Sequence, residues 1–324
     1  MRPSFEDVKT AAERLDGHVR ETRLMRSDRI DAITGRAIWF KPECNQKVGA
    51  FKYRGAFNRL SAMSRDERAR GVVAFSSGNH AQGVARAAKE LGMSAVIVMP
   101  SDAPQVKVDG VLRDGAKIIS YDRHRESREG IAARIARDEG RIVVPSYDDA
   151  YIIAGQGTVG LEVAQSDIEF DGLITNMGGG GLCAGISLAL QTLSPRTQIF
   201  GAEPEHYNDH QMSLRSGEIV RLQTPPPTLC DAVMTPEPGK LTWPINRQSL
   251  RDVFTAKDET CLWAMALAKR ELDVTLEPGG ALSLAVLLEG ELNTYSDIKT
   301  VCVVLSGGNV DPEIMERALQ AYPA

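Results

Sequence analysis

Short apolar runs alternate with longer amphipathic stretches along most of this 324-residue chain. The runs are Ala37-Ile38-Trp39-Phe40-Lys41, Val72-Val73-Ala74-Phe75, Ala95-Val96-Ile97-Val98-Met99, Lys117-Ile118-Ile119-Ser120-Tyr121 and Arg141-Ile142-Val143-Val144. After an interval come Gly172-Leu173-Ile174-Thr175-Asn176, Gln198-Ile199-Phe200-Gly201-Ala202 and Thr300-Val301-Cys302-Val303-Val304-Leu305. They are continuous rather than alternating, which predicts strands of parallel sheets covered on both faces. Helices are predicted between them over 79–91, 104–113 and 127–138. Ser4, Asp7 and the rhythm Phe5, Val8, Ala11, Ala12, Leu15 predict a capped amphipathic helix at the start.

The strand–helix units between Gly71 and Ser146 form a self-contained run, bounded by the charged stretch 65–70 and by Tyr147-Asp148-Asp149. The pattern predicts an α/β protein with a small domain, 71–146, inserted into a discontinuous large one, 1–70 and 147–324. Ligands of such proteins lie between the domains, at the C-terminal ends of strands. The proline-rich stretches 224–228 and 235–239 read as surface loops.

Composition narrows the partners. A net charge of −5 supplies no basic field for phosphate backbones, so no nucleic-acid partner is expected. Cys44, Cys183, Cys230, Cys261 and Cys302 are scattered, with no C-x-x-C pair, and read as free thiols of a reducing compartment. With no signal core and no run of about 18 apolar residues, the expectation is a cytoplasmic protein without a membrane partner.

Four stretches carry chemistry. Asn176-Met177-Gly178-Gly179-Gly180-Gly181-Leu182 leaves a strand and opens a helix. Consecutive glycines let N–H groups converge on an anion where the helix dipole favours one, although a tight strand–helix crossing would need the same residues. With no G-x-G-x-x-G and no G-K-[ST], a plain dinucleotide or nucleoside triphosphate is disfavoured. Phe75-Ser76-Ser77-Gly78-Asn79-His80 sits at another strand-to-helix turn and offers either a carboxylate cradle or an ordinary cap. Leu305-Ser306-Gly307-Gly308-Asn309 ends the last strand with a hydroxyl. Lys52, between Phe51 and Tyr53, is either a solvated lysine at a helix start or a partly desolvated amine with nucleophilic character.

Together these stretches resemble the fold-type-II pyridoxal phosphate enzymes, similar to the β-subunit of tryptophan synthase in fold. Within them the chain is similar to the serine/threonine dehydratase and serine racemase group, nearest its hydroxyaspartate dehydratase–serine racemase subgroup. The matching motifs are Gln46 with Gly49-Ala50-Phe51-Lys52 and Arg54-Gly55-Ala56, Ser76 to His80, Ala154-Gly155-Gln156-Gly157-Thr158, Gly178 to Gly181, Glu277-Pro278 and Ser306 to Asn309. They span nearly the whole chain in the family's order.

The resemblance implies two parallel-sheet α/β domains with pyridoxal 5′-phosphate in the cleft. Lys52 would hold the cofactor as a Schiff base and then serve as base at Cα. Gly178, Gly179, Gly180 and Gly181 would bind the phosphate, Asn79 the ring hydroxyl and Ser306 the ring nitrogen, with Phe51 packed on the ring. Ser76, Ser77, Asn79, His80 and Arg128 would bind substrate, and Ser77 would face Cα opposite the lysine. Glu203, the Tyr207 carbonyl and Asp209 would hold a divalent cation, Mg²⁺ or else Ca²⁺ or Mn²⁺.

The implied activity is ammonia-lyase (dehydratase) action on a small β-hydroxy amino acid: 3-hydroxyaspartate, serine or threonine. Serine racemisation is the alternative, a non-catalytic cofactor-binding protein the third reading, and a homodimer the implied assembly. Ala50, Ser146 and Ala232 depart from the family pattern near the ring. No C-terminal regulatory domain of the biosynthetic threonine deaminase kind is expected, and so no control by isoleucine.

Overall fold

Ten strands form two separate sheets in the computed structural model, which describes residues 2–323. They are β1 Met25–Arg26, β2 Ala37–Lys41, β3 Val72–Phe75, β4 Ala95–Pro100, β5 Lys117–Tyr121, β6 Ile142–Val143, β7 Gly172–Asn176, β8 Gln198–Pro204, β9 Leu250–Ala256 and β10 Thr300–Val304. The larger sheet has the order β1-β2-β10-β7-β8-β9, parallel except for β1 against β2, and the smaller is all parallel in the order β5-β4-β3-β6. Every strand of the smaller sheet lies between residues 72 and 143. Both sheets are flanked by helices, which is why their central strands can be apolar on both faces.

The predicted helices 79–91, 104–113 and 127–138 appear as Asn79–Glu90, Gln105–Arg113 and Arg128–Glu139, the last capped by Ser127. The first helix, Phe5–Leu15, carries the capping box of Ser4 and Asp7. Strand β9 was not anticipated. Its Leu250-Arg251-Asp252 start is polar because β9 is an edge strand with one open side.

Helix Ala150–Ala164 fixes where the cleft elements stand. It is apolar on nearly all sides and buried from Ile152 to Leu161. Gly155 packs on the Lys52 helix: a Cβ there would sit 2.6 Å from the Arg54 carbonyl oxygen. Gly157 packs on helix Gly181–Leu193, where a Cβ on Gly185 would lie 2.5 Å from the Gly157 nitrogen. The Gly155-Gln156-Gly157 motif therefore brings two functional helices onto one support at backbone distance. Packing this close gains dispersion contacts that any larger residue would forfeit through strain.

Candidate active site

The C-terminal ends of β3, β7 and β10 open on one cleft of about 470 Å³. Its lining includes Phe51, Lys52, Ser76–Asn79, His80, Arg128, the four glycines 178–181 and Ser306. The sequence had scattered these over more than 250 positions. Glu203, Tyr207 and Asp209 are not among the lining residues.

Lys52 begins helix Lys52–Ser61 after a constrained loop. Val48 adopts φ 58°, unfavourable for a β-branched residue, and is held there by Asn309 Nδ2, which donates to the Val48 carbonyl at 2.8 Å. The Gly308 and Phe51 amides donate to the carbonyls of Gly49 and Ser306, tying the lysine loop to the end of β10. Two residues on, the buried Arg54 guanidinium pairs with Glu43 at 2.8 Å and Glu162 at 2.5 Å, anchoring the helix from below.

The Lys52 ammonium donates to the Ser146 carbonyl at 2.8 Å and has no carboxylate partner among the described residues. Burial alone lowers its pKa to about 8. Of the two readings left open by the sequence, the geometry matches the desolvated amine.

The tetraglycine turn links β7 to helix Gly181–Leu193, with Gly180 left-handed at φ 85°. None of the amides of Gly178–Gly181 donates a hydrogen bond within the described protein, and all four residues face the cleft. Four free N–H groups at a helix start form an anion site by position and dipole alike.

Across the cleft, the Ser76 hydroxyl accepts from the Gly78 amide, while Ser77 has no side-chain hydrogen bond among the described residues. His80 Nε2 lies 3.0 Å from the Val144 carbonyl and therefore carries the proton. Burial, and then the Lys52 charge, lower the His80 pKa to about 3, so the ring is neutral. Asn79 is engaged at both ends: its amide donates to Glu277 and its carbonyl accepts from Asn309 at 2.8 Å. One amide hydrogen remains for a ligand.

Arg128 lies over the Phe75 ring, 5.6 Å from its centroid, with Glu129 as its ion-pair partner at 2.8 Å. Ser306 is nearly buried at the cleft floor, its hydroxyl without a protein partner among the described residues.

Sequence reading missed Lys107. This buried lysine pairs with Glu277 at 2.9 Å and Asp231 at 2.7 Å, and its stem packs under Gly78. It thereby ties the helix after β4 to the chain carrying the larger sheet. One signal was available: Lys107 shares a helix face with buried Gly110 and Val111, three and four residues on. Glu277, quoted only as part of a motif, is the acid at the centre of this network.

Glu203 and Asp209 sit together behind the tetraglycine turn. Both Glu203 oxygens accept backbone amides, from His210 and Gln211 at 2.9 Å each. Asp209, although buried, has no hydrogen-bond partner on either oxygen. Burial raises its pKa to about 7; for the neighbouring His210, burial lowers the value but Asp209 and Glu203 outweigh it, giving about 9.

Comparison with known proteins agrees with this arrangement. The family model described as "Pyridoxal-phosphate dependent enzyme" matches residues 15–307. The chain is 42% identical to an L-threo-3-hydroxyaspartate ammonia-lyase of Pseudomonas sp over 310 residues, 96% of each chain. It is likewise 42% identical to the L-threo-3-hydroxyaspartate ammonia-lyase of Saccharomyces cerevisiae, over 95% of this chain and 94% of that one. The structure of maize serine racemase superposes with a TM-score of 0.94 at 36% identity, covering 99% of this chain and 98% of its own. The residues present fit pyridoxal phosphate: an amine free of acid partners, four free amides for its phosphate, and unpartnered hydroxyls on the cleft wall.

Proposed function

Since the chain belongs to the pyridoxal-phosphate dependent enzymes, we propose that it is an ammonia-lyase removing water and then ammonia from 3-hydroxyaspartate. Likeness to the two lyases favours the L-threo isomer. The observation that carries the substrate is Arg128. A dicarboxylate needs a cation besides the Ser76–His80 turn, and this guanidinium shares that cleft. It accepts a carboxylate in two parallel hydrogen bonds. Its present partner Glu129 is exposed, so exchanging one carboxylate for another costs little.

Pyridoxal phosphate, when bound, supplies an electron-withdrawing ring that acidifies the proton on the substrate Cα. The glycine amides 178–181 would hold its phosphate, and Lys52 would be its covalent anchor. As a free amine, Lys52 would accept the Cα proton, a task suited by a pKa near the working pH. Neutral His80 fixes the turn that binds the α-carboxylate without adding charge beside the lysine. Ser306 would offer the ring a neutral hydroxyl rather than a carboxylate, a choice that suits elimination of a β-hydroxyl better than transamination. The protein would also hold a divalent cation at Glu203, the Tyr207 carbonyl and Asp209, pair as a homodimer and reside in the cytoplasm; five unbridged cysteines support the last.

Serine racemisation is the second reading, favoured by the free hydroxyl of Ser77 in the same cleft. The two separate when the holoenzyme is incubated with L-threo-3-hydroxyaspartate and with L-serine, and keto acid, ammonia and enantiomers are measured. Oxaloacetate and ammonia from hydroxyaspartate are expected. Arg128→Ala should lower kcat/KM for hydroxyaspartate about 100-fold, the worth of charged hydrogen bonds to one carboxylate, while serine turnover falls far less. Predominant D-serine without keto acid, or equal losses on both substrates, would overturn the dicarboxylate reading. Lys52→Ala should be inactive on every substrate.

A further inference from the structure

His210 turns a two-carboxylate site into a three-ligand one. Glu203, Asp209 and His210 are all buried, and one ligand atom from each lies within 4.8 Å of the others. His210 Nδ1 stands 3.4 Å from a Glu203 oxygen and 3.3 Å from an Asp209 oxygen. Neither contact has hydrogen-bond geometry, so both His210 ring nitrogens and both Asp209 oxygens are buried without a partner. Native interiors rarely leave such atoms orphaned, and an ion is one of the few explanations. The spacing agrees: adjacent ligands of a six-coordinate ion, each about 2.1 Å from it, lie about 3.0 Å apart.

The opposite edge of the ring has a second neighbour. A Cβ on Gly180 would lie 2.6 Å from His210 Nε2, so the imidazole fills the space between the acid pair and the phosphate turn. With Nδ1 facing the ion, Nε2 would carry the proton; it too is buried and has no hydrogen-bond partner among the described residues, so the ring is held by packing against the turn.

We infer that His210 is a nitrogen ligand, together with Glu203 and Asp209, of a first-row transition-metal dication held behind the tetraglycine turn. This rests on the cation proposed above but changes its kind. An all-oxygen set suits Mg²⁺ or Ca²⁺, whereas a neutral imidazole beside two carboxylates favours softer ions that accept nitrogen. The ion does no redox chemistry here; its place is structural, bracing the loop 205–210 against the turn that binds phosphate.

The test uses holoenzyme stripped of metal by chelation and then titrated with Mn²⁺. Pulsed electron paramagnetic resonance of the bound Mn²⁺ should show coupling to one imidazole ¹⁴N. Zn²⁺ should displace Mn²⁺ at a concentration at least about tenfold below that of Mg²⁺. His210→Gln keeps a polar group near the Nε2 position and removes Nδ1. It should abolish the coupling and weaken Mn²⁺ at least about tenfold, with circular dichroism remaining that of the folded chain. Bound Mn²⁺ without nitrogen coupling would overturn the ligand assignment while leaving the cation site standing. No Mn²⁺ binding to wild type would overturn both.

Discussion

The two strand-to-helix turns that face each other across the cleft share a position and differ in filling. Phe75–Asn79 and Asn176–Gly181 each leave the C-terminal end of a parallel strand and enter a helix. The glycine turn is built by subtraction: its amides are free, and its neighbours Tyr147, Asn246 and His210 occupy the places where Cβ atoms would project. The serine turn is built by connection. Asn79 is held by Glu277 and Asn309, His80 by Val144, and Gly78 rests on the Lys107 stem. On the proposed roles, the contrast teaches that a cradle for a resident group can be rigid and closely packed, while one for substrate hangs on polar ties that cross between the two sheets.

The sharpest way to break the first turn is Gly180→Ala. A left-handed φ of 85° costs an alanine about 1–2 kcal/mol, and its methyl would meet His210 Nε2 at 2.6 Å besides the Asn246 amide. Together these should weaken pyridoxal phosphate at least about 100-fold, read as loss of cofactor absorbance in a titration of cofactor-free protein. Circular dichroism should remain that of the folded chain. Cofactor affinity within threefold of wild type would show that the turn yields easily and is not the rigid partner.

The second turn is attacked at its tie. Lys107→Met keeps the stem under Gly78 but strands Glu277, which is only 1% exposed, without its cation. Breaking a buried pair on one side costs about 3–5 kcal/mol, offset here because Asp231 is a quarter exposed and because Glu277 can take up a proton. An expected loss of about 2–3 kcal/mol in denaturant unfolding should come with a higher KM and nearly unchanged cofactor affinity. If cofactor affinity falls as far as KM rises, the two turns are not separable in the way their contacts imply.

The difference between the turns also explains what could be read from the chain. Continuous apolar runs gave both sheets, because strands buried on two faces leave no other pattern. Gly178 to Gly181 stood out because backbone freedom is written in residue type. Lys107, by contrast, looked like any helix lysine, and its partners Asp231 and Glu277 lie 124 and 170 positions away. Pairings at such separation have no local signature. The edge strand β9 was hidden for a related reason, since one open side dilutes its apolar pattern with Arg251 and Asp252. His210 was passed over beside Asp209, because a histidine shows its use only when its ring is seen between two carboxylates and a glycine.

The smallest expected effect concerns the charge that lies between the turns. Lys52 is lowered by burial from an ordinary 10.5 to about 8, so in cofactor-free protein the unfolded chain binds more protons than the folded one within that window. Stability should therefore rise with pH from about 8 towards 10.5 and be lost as pH falls back through it. His80 has the same sign in a lower window, between about 3 and its ordinary 6.5, so it does not contribute above neutrality. Lys52→Met removes the buried charge at every pH. Its cofactor-free melting temperature should exceed that of wild type at pH 7.5, and the excess should shrink as pH approaches 10. An excess that stays constant across that range would mean the ammonium is well solvated in the empty cleft. The glycine turn would then be the only part of the site prepared in advance for its ligand.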